Sequence, residues 1–536
     1  MIGTQLMLFT SYGFLLFLAI VLTACLICPG KHRWKMLLIA SFVFYGMSGL
    51  RYLIYIAFTI LSSYLFGSKI DKLHRNQESF LLSNKDTLST EDKKQYKSAN
   101  KKARVKWAAA CLLLNFGILA VIKYSDFAIL NFNALLRITG GRGEITFLRF
   151  ALPMGISFYT FQTMGYIIDV YRGKTSAEKN LFKLALFTSF FPQVIQGPIS
   201  RFDDLRVTLF STERVSSSEI SLGLQRVLLG FFKKLVIADR LVIAVRAISS
   251  SPGQYQGIFV FIASLLYAVT LYADFTGGID ITIGLAQALG VRIKENFNRP
   301  FYAISTADYW RRWHITMGTW FRDYLFYPIS VCKPMLKFSK SARVRLGENF
   351  GKRLPVYIST ILVWFATGIW HGASWNFVVW GLLNGFVLII SEECKPLYRK
   401  FHNTFNIGNL AVYRAFTVLR TFCLMSLIRT LDIYADVGTY FRQLGTAFTK
   451  LAPGGLQHGG LTGLGLTRGD YIVAFSGVAL LIVIGRLQKS DDIRVVLSRR
   501  NTALRYGIYM VMVLSIIVFG AYGTGYDASQ FIYNQF

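Results

Sequence analysis

Tyr309-Trp310-Arg311-Arg312-Trp313-His314 and Trp370-His371-Gly372-Ala373-Ser374-Trp375-Asn376 bound a stretch, 309–376, whose flanks are apolar runs long enough to enter a membrane. Each motif sets one histidine among tryptophans. An ionisable side chain at membrane depth is expensive to maintain, so both imidazoles are functional candidates from the outset. Desolvation penalises imidazolium, and a buried histidine is therefore expected to be neutral and able to take a proton from a hydroxyl.

Working outward, the composition agrees with a membrane setting. Of 536 residues, 53% are hydrophobic and 16% charged, whereas soluble domains carry charge on about a quarter of their residues. The chain is read as all-α and polytopic. Its formal charge of +31 is not that of a nucleic-acid binder, because the lysines and arginines fall in short clusters between apolar segments, as in positive cytoplasmic loops. Six cysteines lie in or beside apolar runs and show neither a disulfide framework nor zinc-ligand spacing. Cys25 and Cys28 form a C-x-x-C at a helix end, which reads as packing. No metal site is expected.

In chain order, apolar runs predict helices over Leu6–Cys28, Met36–Met47 and Tyr52–Gly67, the first of them a retained helix and not a removed signal peptide. Lys69–Lys106 then carries eleven Lys or Arg against five Asp or Glu and reads as a basic cytoplasmic loop, a solvated arm or short helices. With Lys31–Lys35 also cytoplasmic, the N-terminus is expected outside. The membrane resumes at Trp107–Ile122, and Asp126–Ile138 continues it. Between Phe150 and Arg201 prolines, glycines and glutamines interrupt the apolar pattern. Phe190–Pro198, with Gln196 inside it, is a candidate re-entrant or cavity-lining segment, a kinked interfacial helix being the other reading. Ser216 and Glu219 have capping-box spacing ahead of a helix through Phe231-Phe232-Lys233-Lys234. A span over Ile258–Ala273 ends at Asp274, Gly277-Gly278 is read as a break, and Ile281–Leu289 as a re-entry. Lys333–Arg353 reads as a second cytoplasmic loop, followed by spans over Phe377–Ile390, Val412–Leu431, Tyr471–Leu487 and Tyr506–Tyr522. The organisation expected is 1–68 as N-terminal transmembrane helices, 69–106 as a basic loop, 107–435 as a catalytic core and 436–536 as C-terminal helices.

The two principal histidines differ in what their neighbours imply. Trp310, Arg311, Arg312 and Trp313 also suit an interfacial aromatic and basic belt, so His314 stands as either an anchor or a site residue. His371 sits between Trp370 and a helix-breaking Gly372, with Asn376 nearby, which favours function. His32, His74, His402 and His458 lie in basic, polar or glycine-rich connectors and are expected to be solvated. No phosphate-cradling glycine loop and no serine nucleophile elbow accompanies them.

The two motifs, with Trp320-Phe321-Arg322-Asp323-Tyr324-Leu325, Leu152-Pro153-Met154-Gly155, Phe190-Phe191-Pro192, Gln196-Gly197-Pro198-Ile199 and Glu295-Asn296-Phe297-Asn298-Arg299-Pro300, resemble the membrane-bound O-acyltransferases (MBOAT), in their bacterial polysaccharide-acetylating branch. The resemblance is close over Pro153–Asn384. It implies about 10–13 transmembrane helices around a central channel with re-entrant segments, in a bacterial cytoplasmic membrane. It implies His371 as the essential catalytic residue and His314 as a second one. It also implies an acyl donor entering from the cytoplasm, acetyl-CoA in this branch with no bound cofactor, and an acceptor hydroxyl on an extracytoplasmic polysaccharide or a partner acyltransferase. Asn376, Asn298, Asp274, Gln196 and Trp370 are expected to face the substrate cavity, and Arg311 and Arg312 to attract the donor's phosphates. Three alternatives remain at this point: D-alanyl transfer to teichoic acid from a carrier protein, a polysaccharide-precursor transporter that performs no chemistry, and a non-catalytic membrane scaffold in which His371 is replaceable.

Overall fold

The computed structural model describes residues 9–141, 143–408, 410–450, 460–488 and 492–522. Helices account for all regular structure among them. Eight are long and apolar enough to cross a membrane: Leu50–Ser83, Thr90–Ile138, Ile258–Ala288, Glu348–His371, Trp375–Glu393, Ala411–Asp432, Arg468–Leu487 and Thr502–Phe519. The chain is a multi-pass membrane protein. Its residues fall into two compact units, one running through Ser221 and taking in Leu285–Ile293, the other made of Leu222–Gly284 and the chain from Lys294 on. The start expected at Leu6 and the solvated His458 lie outside the described residues.

In the first unit, Tyr12–Ile27 is capped by the Ser11 hydroxyl, which accepts from the Phe14 amide at 3.2 Å. This helix and Gly30–Met47 meet through Phe14 and Phe44, with ring centroids 5.9 Å apart, and Phe191 closes on Phe44 at 5.6 Å. The basic stretch expected as a loop is largely helical. Leu53–Ser83 runs through its first half, and Thr90–Ile138, 49 residues capped by Ser89, begins in its second half. A helix of that length extends on the order of 70 Å, more than twice the hydrocarbon thickness of a bilayer. The polar ends of this hairpin are therefore continuations of membrane helices, and composition alone hides that continuity.

The interrupted segment lies buried in the same unit. Phe191–Val194 is a single helical turn, and Phe190–Ser200 is buried throughout. Gln193 Nε2 donates to the Pro198 carbonyl and to Ser200 Oγ, so side chains supply part of what a continuous helix would have supplied. Gly155 sits at φ +67 against the Val194 carbonyl, where any Cβ would collide.

In the second unit, the Gly277-Gly278 break does not occur: Ile258–Ala288 is one continuous helix. The glycines serve packing instead. A Cβ at Gly277 would lie 2.9 Å from the Gly230 carbonyl oxygen, and one at Gly284 would lie 2.6 Å from that of Gly223. Bare backbone thus lets Ile258–Ala288 and Ser217–Phe231 approach closely, as small residues do between membrane helices. Lys333–Arg353, read as a loop, is a helix over Lys333–Leu346 followed by the start of Glu348–His371. The expected helix start near Ser216 is present, with the Glu219 amide donating to Ser216 Oγ at 3.2 Å. The other spans match the apolar runs to within a few residues.

Candidate active site

Local geometry in the second unit places both histidines. Glu348–His371 and Trp375–Glu393 form a tight helical pair. Gly368 lies under the Phe377 carbonyl, Gly381 lies under that of Trp364, and Gly372 lies against the Phe377 ring, so that a Cβ at any of the three would collide. His371 closes the first of these helices, buried, with its ring stacked on Phe377 at 6.2 Å and edge-on to Trp380 at 4.7 Å.

His314 is held by a different device. It occupies the left-handed region at φ +47, a conformation that is uncommon away from glycine, and so turns the chain from Thr306–Arg312 into Ile315–Phe321. Asn296 fixes this turn. Its carbonyl accepts from the Ile315 amide at 2.9 Å, and its side-chain oxygen accepts from the Thr316 amide at 3.0 Å and the Thr316 hydroxyl at 2.9 Å. The His314 ring is fully buried, 5.0 Å from Phe275 and 5.8 Å from Trp370. It belongs to a short-helix segment outside the membrane-length helices. Burial, reinforced by the positive charge of Arg429, pushes its imidazole down to about 3. His314 is therefore neutral throughout the physiological range.

Trp370 contacts both imidazoles, lying 5.0 Å from that of His371. The site is thus an aromatic enclosure with two histidines in its wall. Arg429, which the sequence reading did not single out, stacks its guanidinium over Trp380 at 4.8 Å and pairs with buried Asp432 at 2.7 Å. Tyr267 donates to the same carboxylate at 3.2 Å. Asn376 is committed to this region, since its Nδ2 donates to the Leu431 and Tyr434 carbonyls at 3.0 and 2.7 Å and holds the turn after Arg429.

The remaining candidates take other positions. Asn298 is exposed, and its amide pairs with the Arg312 carbonyl at 2.9 Å; the buried asparagine of that motif is Asn296. Asp274 is fully buried in an ion pair with Lys234 at 2.6 Å. Arg311 and Arg312 both engage Asp308, at 3.2 and 3.0 Å. Burial works against charge on that carboxyl, but hydrogen bonds from Arg312, the Ile304 amide and Arg311 outweigh it and hold Asp308 below the usual carboxylate range. Gln196 belongs to the first unit, where it is fully buried with no hydrogen bond to its side-chain amide among the described residues. Outside the site, His74 is half-buried and hydrogen-bonded, and His402 bonds the Tyr413 hydroxyl at 2.7 Å, so neither is merely solvated.

In this all-helical membrane protein the two motif histidines thus meet at one shared ring, that of Trp370. Residues 176–431 match the membrane-bound O-acyltransferase family profile. The chain is 33% identical over 391 residues to a probable alginate O-acetylase of Azotobacter vinelandii, which covers 73% of this chain and 69% of that protein. It is 30% identical over 411 residues to the peptidoglycan O-acetyltransferase of Helicobacter pylori, covering 70% and 69%. A teichoic acid D-alanyltransferase of Bacillus subtilis is 24% identical over 261 residues, covering 47% and 61%. The chain belongs to the membrane-bound O-acyltransferase family and is an O-acyltransferase.

Proposed function

We propose that this enzyme moves an acetyl group from a cytoplasmic thioester, acetyl-CoA, to a hydroxyl of an extracytoplasmic polysaccharide or of a partner acyltransferase, from the cytoplasmic membrane of a bacterium. The acceptor oxygen attacks the thioester carbonyl carbon, the C–S bond breaks, and an ester forms. His371 takes the proton from the attacking hydroxyl as general base and returns it to the departing thiolate, so no net proton is consumed. His314, neutral and rigidly held, orients the acceptor. Arg429 and its partner Asp432 set the electrostatics of the Trp380 wall. The observation that carries this reading is the contact of one tryptophan, Trp370, with both imidazoles inside an apolar enclosure. Similarity to acetylating relatives over about 70% of the chain favours acetyl over D-alanyl.

The test is thiol release from acetyl-CoA by purified protein in lipid nanodiscs, with a D-alanyl carrier as the competing donor. Turnover of acetyl-CoA that is abolished in His371→Ala is expected. Turnover of the carrier alone would move the chain to D-alanyl transfer, and turnover unchanged in His371→Ala would remove the proposed base.

A further inference from the structure

A cleft of about 680 Å³ opens in the first unit, at the polar end of the Leu53–Ser83 and Thr90–Ile138 hairpin and against the 173–176 loop. The volume suits a small organic ligand. Its walls carry four cations, Arg75, Lys85, Lys93 and Lys97, against two carboxylates, Asp71 and Glu78. Asp71 is already engaged, by Arg75 at 2.9 Å and by the Ala177 amide at 3.3 Å. Lys85 and Lys97 form no ion pair among the described residues, which leaves the cleft with excess positive charge.

Two buried polar groups point the same way. Gln77, in the cleft wall, has a buried side-chain oxygen with no hydrogen-bond partner among the described residues. An orphaned acceptor of this kind costs about 1–3 kcal/mol unless a donor reaches it. Behind the wall, Arg104 is 8% exposed and donates to His74 Nδ1, while Nε2 of that ring faces the Tyr171 carbonyl at 3.0 Å. Arg104 thus meets a ring and not a carboxylate, and that ring, half-buried, forms part of the cleft wall.

We propose that this cleft binds a phosphate ester that also carries an N–H or O–H donor. Its phosphate sits among Lys85, Lys93 and Lys97, its donor reaches Gln77 Oε1, and Leu81 and Leu82 line the apolar side. A soluble nucleotide and the headgroup of an anionic phospholipid share this chemistry. The proposal is independent of the acyl-transfer reading, since every residue it uses lies in the first unit.

The experiment has two arms, both on the full chain. In phosphatidylcholine nanodiscs, ATP is titrated by equilibrium dialysis with pyrophosphate as competitor. In nanodiscs containing phosphatidylglycerol, retained lipid is counted by native mass spectrometry. Saturable ATP binding that weakens at least tenfold in Lys85→Gln/Lys97→Gln, and several-fold in Gln77→Leu, but is unchanged in His371→Ala, assigns a nucleotide. Retained phosphatidylglycerol that is lost in the same variants, without ATP binding, assigns a lipid headgroup. Lys85 and Lys97 are exposed, so these variants are expected to melt with the wild type. No binding in either arm, or binding indifferent to both sets of substitutions, overturns the proposal.

Discussion

The second unit buries ionisable groups in two ways. Around the π-helical turn Phe232–Ala238, cations meet carboxylates directly: Lys234 pairs with Asp274 and Asp239 at 2.6 and 2.7 Å, Lys233 with Asp280 at 2.6 Å, and Arg226 with Asp280 and Glu295 at 2.9 and 2.5 Å. Around His314 and His371 the walls are Phe275, Trp370, Phe377 and Trp380. A closed ion network secures the helices that carry it, because removing either partner strands a charge. An aromatic wall instead surrounds the imidazoles with rings, and that of His314 is neutral there. The contrast separates the ion-paired part of the unit from the part proposed to react, and Asp274, expected at the substrate cavity, belongs to the ion-paired part.

Breaking the network should give the largest structural effect. Lys234→Met strands Asp274 and Asp239 and is expected to destabilise the protein by about 3–5 kcal/mol, read as an earlier unfolding transition in nanodiscs, whereas Lys234→Met combined with Asp274→Leu should recover most of the loss. Next comes the hinge between the two regions of behaviour, Asn376. Asn376→Ala leaves two buried carbonyls without their donor and is expected to lower stability by about 1–3 kcal/mol; because it frees the turn behind Arg429, it should also lower the transfer rate more than an equally destabilising change elsewhere in the helix.

His314 sharpens the comparison through pH. With its imidazole pushed down to about 3, the folded chain refuses a proton that the unfolded chain accepts near pH ~6.5. The unfolded state binds more protons between those values, so the residue erodes stability as pH falls through that window and contributes no such loss above it. The melting temperature of wild type should therefore fall relative to His314→Gln between pH 6.5 and 4, and an unchanged difference would mean that the ring is solvated. The smallest effect belongs to Arg311, whose side chain is 72% exposed. Arg311→Gln should shift stability by less than about 1 kcal/mol, and a marked rise in the KM for acetyl-CoA would give this arginine the donor-binding role expected from its sequence.

Much of this architecture is legible in the sequence. Apolar runs of sufficient length found the spans, and Val412–Leu431 against the observed Ala411–Asp432 shows how closely. Glycine was harder to read, because the same residue breaks a helix in water and lets two helices touch in a membrane; only the position of Gly230 and Gly223 opposite Gly277 and Gly284 decides between them. The basic hairpin was hidden for a related reason, since lysine-rich sequence continues a long helix as readily as it forms a loop. Arg429 carried a signal that went unused: it is an arginine at the end of a membrane-length run, where charge asks for a partner. Asn296 and Asn298 sit two residues apart in one motif, and nothing in the sequence indicates which of them turns inward.

One paired measurement tests the proposed role of His371 most directly: the acetyl-transfer rate and the unfolding transition of His371→Ala, taken in the same nanodiscs as wild type and Lys234→Met. The rate of His371→Ala is expected to fall by about 10²–10⁴ with its unfolding transition close to that of wild type, while Lys234→Met unfolds early. A His371→Ala protein that transfers acetyl groups at the wild-type rate, or that loses activity only as far as it loses its fold, would contradict the assignment of chemistry to the aromatic-walled histidine.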